Sequence, residues 1–212
     1  MTSPYINTEL YTTVALYPNQ MNNDIYINLK SNLEDKVLGM CFRDYGYINE
    51  IYEITKYDDG VIEAENLSSS AKYDISFSCR LCIPLRLTEI ICKVDKVNKL
   101  LITVVNGPIL GIITNERIND EVFFLDNNNS LRYKKENKSY LLKSGDFVRI
   151  VIESVQFNHG DEKIKVIGSL KNMAIDEEKK LFYQQSFNRT GELIEFAEYF
   201  ESTVNPNDAD QG

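Results

Sequence analysis

Ser70-Ala-Lys-Tyr-Asp-Ile-Ser-Phe-Ser-Cys-Arg-Leu-Cys-Ile-Pro84 is the stretch on which the fold turns. Tyr73, Ile75, Phe77, Cys79 and Leu81 take alternate positions against polar neighbours, the period of a strand with one buried face. Pro84 ends the run, because proline offers no N–H to a sheet and pushes the residue before it out of helical space. A domain junction is therefore expected between Ile83 and Pro84, and the chain reads differently on its two sides.

Upstream, Glu9–Tyr17 is rich in β-branched and aromatic residues and stops at the turn signal Pro18-Asn19, which makes it a strand. Ile25, Leu29, Leu33 and Val37 recur every fourth residue, so the spacing predicts an amphipathic helix over about 22–36. Two more strands are expected, Val37–Phe42 and Gly46–Thr55, flanking the turn Arg43-Asp44-Tyr45. Downstream the pattern is all β, with strands at Leu87–Asp95, Leu100–Val105, Ile109–Thr114, Asp146–Gln156 and Lys163–Leu170. Five short strands in so few residues suit a small barrel such as the OB-fold. Residues 121–143 read as a hairpin inserted into it, and Gly191–Phe200 has helical periodicity before the polar Asn205–Gly212, which reads as disordered. The expected fold class is α+β: a strand-helix-strand unit over 1–83, an OB-fold barrel with an inserted hairpin over 84–175, and an acidic, helical tail over 176–212.

The 212 residues carry a net charge of −9, which on its face opposes nucleic-acid binding. Cut at the expected boundaries, the first 83 residues hold 6 basic and 12 acidic side chains, net −6. Residues 84–174 hold 14 basic and 11 acidic, net +3, and the remainder 3 basic and 9 acidic. Anion binding is thus expected of the barrel alone. No apolar run approaches the roughly twenty residues of a membrane span, so no membrane association is expected. Met1-Thr-Ser-Pro-Tyr5 lacks the basic and apolar regions of a secretory signal. Cys41, Cys79, Cys82 and Cys92 sit in strand-like runs, as befits a reducing, intracellular compartment.

Three segments together resemble the stalk subunit of archaeal and eukaryotic multisubunit RNA polymerases, RNA polymerase II included. They are Asp44-Tyr45-Gly46-Tyr47-Ile48, the strand 70–84 continuing to Glu89-Ile-Ile91, and Val148-Arg-Ile-Val-Ile152 followed by Ile164-Lys-Val-Ile-Gly-Ser-Leu170. Gly107-Pro108 before the third barrel strand is a weaker match. Thr88 stands where the family has Gly, with an extra residue at Leu87. The resemblance implies a non-catalytic subunit of DNA-directed RNA polymerase. Its tip domain docks on the polymerase core near the clamp, through Asp44, Tyr45, Gly46, Tyr47 and Ile48. A second stalk subunit clasps it as a heterodimer, and its barrel meets nascent RNA at the site of transcription. Asn makes up about a tenth of the chain, a bias of AT-rich genes such as those of large DNA viruses that encode their own polymerases.

Single-stranded RNA on an OB barrel needs cations for phosphates and aromatics for stacked bases. Arg132, Tyr133, Lys134, Lys135, Lys138, Tyr140 and Lys143 form the richest such stretch, with Arg149 beside it and Lys93, Lys96 and Lys99 on the first barrel hairpin. The same stretch also reads as a solvated loop. A free-standing OB-fold RNA-binding protein of translation or decay is the alternative. Cys79-Arg-Leu-Cys82 suggests zinc, but residues three apart on a strand face opposite ways, so buried structural cysteines and no metal or other cofactor are expected. His159, in a turn with no second His, reads as structural, and no catalytic constellation is visible.

Overall fold

A computed structural model describes residues 3–64, 67–98, 100–126, 130–135 and 138–185. The first unit is an antiparallel sheet of β1 (Tyr5–Leu16), β2 (Cys41–Phe42), β3 (Gly46–Tyr57), β4 (Val61–Ile62) and β5 (Ala71–Cys82), in the order β1-β5-β3-β2 with β4 also on β5. Helix α1 (Ile25–Val37) lays Leu29, Leu33 and Val37, all fully buried, against it. Burying those three side chains contributes about 5–9 kcal/mol relative to exposure.

The expected strand from Val37 is not formed. Val37 is the last residue of the helical stripe, and Gly39, at φ +78°, turns the chain so that only Cys41–Phe42 pairs. In β3 the isoleucines 48, 51 and 54 are three apart, a spacing that would alternate faces in a regular strand. Pairing with β5 slips after each of Ile48, Ile51 and Ile54, and these bulges turn all three into the core shared with Phe77 and Leu81.

Beyond Pro84 five strands close a barrel: β6 (Glu89–Val97), β7 (Leu101–Asn106), β8 (Ile109–Thr114), β12 (Phe147–Gln156) and β13 (Ile164–Met173). The circuit β6-β7-β8-β13-β12 is antiparallel except for the parallel pair β8–β13, an OB-like arrangement. The barrel begins two residues later than the sequence suggests. Leu87 is exposed at φ +62°, a left-handed link that favours glycine, so the first strand starts at Glu89. The expected inserted hairpin is a three-stranded sheet, β9 (Phe123–Leu125), β10 (Leu131–Lys135) and β11 (Lys138–Leu141), ordered β11-β10-β9. Helix α2 (Asp176–Gln185) then packs Phe182 and Tyr183 onto Phe147 and Ile91. The helix expected over 191–200 lies outside the described residues.

The two units are joined by more than the chain. At the edge of β2, the Cys41 N–H donates to the Asp161 carbonyl and the Gly160 N–H to the Cys41 carbonyl, both at 2.8 Å. The Arg43 N–H donates to Nδ1 of His159 at 3.2 Å, and that imidazole meets the Phe42 ring edge-on. Tyr5 enters the barrel core and donates its hydroxyl to Oδ1 of buried Asn106, whose amide donates to the Ile91 carbonyl at 2.7 Å. Gly107, at φ +55°, leaves room for that phenol.

Candidate nucleic-acid interface

The inserted sheet gathers most of the expected RNA-contacting residues. Arg132, Tyr133, Lys134 and Lys135 lie on β10, with Lys138 and Tyr140 on β11 and Lys143 just past it. The register sets Tyr133 opposite Tyr140 and Lys135 opposite Lys138. The two tyrosine rings stack at 5.6 Å, and Tyr133 also packs on Phe123 and the barrel core. Burial, followed by Asp146 and Tyr140, pushes the Tyr133 phenol above its ordinary value, and Lys179 partly opposes them.

The cations differ in what they are free to do. Arg132 is paired with Asp126 at 2.9 Å. Arg149, on β12, is held by Glu178 of α2, with Glu89 at 3.8 Å. A guanidinium ion-paired with one carboxylate and close to a second is a poor phosphate ligand until they leave. Lys134 lies 5.6 Å over the Phe124 ring, while Lys138 and Lys143 are exposed. On β6, Lys96 is exposed and Lys93 half-buried between Val105 and Phe147. Lys99 and the Lys135 side chain lie outside the described residues.

Of the five residues expected to dock on a polymerase, Asp44 and Tyr45 are exposed, Tyr47 is half-buried, and Gly46 and Ile48 are buried. Gly46 lies at φ +130° with its α-carbon against the Cys82 carbonyl, and Ile48 belongs to the core under α1. These two shape the turn that presents Asp44 and Tyr45.

The Cys79-x-x-Cys82 pair divides between two cores: Cys79 packs under α1, and Cys82 joins Cys41 and Cys92 in the barrel cluster. Burial pushes the thiols of Cys41 and Cys79 up to about 11 and that of Cys82 to about 12, and raises Cys92 as well. Protonated, enclosed thiols are poor nucleophiles. Among the described residues no group of His, Cys, Asp and Glu side chains could hold a metal ion, and no helix is long and apolar enough to cross a membrane.

Sequence reading missed Glu178, Phe182 and Tyr183, which cover the β6–β12 wall and occupy Arg149. The acidic first turn Asp176-Glu-Glu178 followed by Lys179-Lys180 was a legible helix-start signal.

The fold and this surface define an OB-like barrel protein carrying a basic-aromatic sheet and hydrogen-bonded to a helix-backed sheet unit. No protein-family model matches the chain. It is 33% identical over 180 residues to a protein of Acanthamoeba polyphaga mimivirus, whose name provisionally describes a DNA-directed RNA polymerase subunit; the match covers 85% of this chain and 88% of that one. The chain belongs to this family of DNA-directed RNA polymerase subunits.

Proposed function

We propose that the chain is the stalk subunit of its polymerase. Residues 1–83 dock on the core subunits near the clamp, with Asp44 and Tyr45 at the contact. The barrel projects from there toward nascent RNA, and a second stalk subunit completes a heterodimer. The role is non-catalytic and is played wherever the polymerase transcribes, in the host cell or virion if the chain is viral.

The observation that carries this reading is the joint. An arm that positions a distant RNA-binding surface must transmit the geometry of its docked end, and a flexible link would lose it. Here the β2 edge is bonded backbone to backbone with the β12–β13 turn, and Tyr5 is anchored inside the barrel. Charge supports the same division: the docking unit is net −6, while residues 84–174 are net +3.

Affinity purification of the tagged chain from cells in which its polymerase is active tests the proposal. The large polymerase subunits and one small partner are expected in near-equal amounts. Recovery of RNA without any polymerase subunit would favour a free-standing RNA-binding protein instead.

A further inference from the structure

The inserted sheet does not lie flat on the barrel. Between β10, the start of β12 and the β13–α2 connection it leaves a cleft of about 520 Å³, within the range of small-ligand sites, roughly 300–1,000 Å³. Tyr133 and Val122 line it on the side of the inserted sheet, Ile175 and Lys179 on the side of α2, and Asp146 and Phe147 also line it. The Tyr133 ring is already the inner member of a stack with Tyr140. A planar ring entering the cleft would extend that stack, a contact every nucleobase can make.

The charges suit a nucleotide better than an apolar peptide anchor. Lys179 is the cation of the cleft, while the Lys134 ammonium lies over Phe124 on the other face of β10. Lys179, itself 27% exposed, is bonded to Asp176 at 2.7 Å, so a phosphate must compete with that carboxylate, which is 88% exposed. Glu178 faces away, occupied by Arg149 and by the Ile175 N–H. Asp146 takes the Lys143 N–H at 2.7 Å, and its remaining lone pairs can accept from a base amino group.

We propose that this cleft binds one nucleotide of single-stranded RNA, its base slotted between the Tyr133 ring and the Ile175 wall and its phosphate on Lys179. The inference rests on the RNA-contact part of the proposed function and gives it a site.

The chain has no tryptophan, so Ile175→Trp in the full-length protein places a single reporter on the cleft wall, where Ile175 is 61% exposed. Tyr11→Trp, on the first sheet and 65% exposed, is the matched distant reporter. Each is titrated with an unlabelled ten-nucleotide oligo(U) and oligo(A), with binding followed in parallel by anisotropy of labelled RNA. Quenching at position 175 and none at 11 is expected. Tyr133→Leu should weaken affinity about 5- to 100-fold, while Tyr133→Phe leaves it unchanged. Should the leucine variant misfold by circular dichroism, Lys179→Glu on the opposite wall replaces it, with the same direction expected. RNA bound with no quenching at 175 and no loss in these variants would overturn the cleft and leave RNA contact standing. No RNA binding by the wild-type chain at low salt would overturn both. Quenching by an apolar peptide but not by RNA would overturn the nucleotide in favour of a protein anchor.

Discussion

Replacing Gly46 with alanine asks whether the turn between β2 and β3 is built against the chain's own backbone. A Cβ there would lie 2.5 Å from the Cys82 carbonyl oxygen and 2.9 Å from Cγ1 of Ile83, on a residue at φ +130°. A side chain at positive φ costs about 1–2 kcal/mol, and forcing an extra carbon into a packed site about 1–3 more. Gly145 isolates the first part, because it also has positive φ, +95°, but nothing within 4 Å of a would-be Cβ. The expected loss is therefore about 4 kcal/mol for Gly46→Ala and about 1–2 kcal/mol for Gly145→Ala. In a chain of this size each kcal/mol lowers Tm by about 2–4 °C, so Gly46→Ala should melt some 8–16 °C below wild type and Gly145→Ala about 2–8 °C below. Thermal melts by circular dichroism, checked by urea midpoints, measure both. Equal Tm values for the two variants would refute the close approach of β3 to β5 and, with it, the structural account of the Gly46-Tyr47-Ile48 match.

Asn106→Ala removes the acceptor of the Tyr5 hydroxyl and the donor to the Ile91 carbonyl, both buried; it should cost about 2–3 kcal/mol in urea denaturation, against about 1 for Tyr5→Phe. The four buried thiols should resist a thiol reagent at pH 8 in the native protein and all react after unfolding. Because the folded Cys41 thiol titrates at about 11, above its ordinary value of 9.0, the protonated form is favoured in the folded state. Its stabilisation is complete below the unfolded value and is lost as pH rises through about 11, so Cys41→Ala should flatten the fall in Tm over that window. Charge reversal of Lys134, Lys135 and Lys138 together should weaken single-stranded RNA binding and reduce the slope of log K against log salt by about 2; an unchanged slope would reject the patch.

What the sequence could disclose followed from local pattern. Ile109–Thr114 is bounded by Gly107-Pro108 and was legible to the residue, because its turn and its apolar run agree. Val37 was misassigned since an apolar run continues to Cys41, and only the left-handed Gly39 separates helix from strand. The every-third isoleucines of β3 make sense only through bulges against β5, a tertiary effect invisible in one strand. Helix α2 has few apolar residues, and its hold comes from Phe182 and Tyr183 meeting Phe147, some thirty-five residues away. The candidate interface shows the same limit. Counting lysines and arginines located the basic region, but counting could not reveal that Asp126 and Glu178 occupy Arg132 and Arg149.

Stalk attachment through the first unit is tested most directly by lysine cross-linking and mass spectrometry on the native polymerase carrying this chain. The account predicts links to the large core subunits from Lys30, Lys36, Lys56 or Lys72, with Lys138, Lys143 and Lys165 of the barrel unlinked to the core. Links to the core confined to the barrel lysines, with none from residues 1–83, would contradict it.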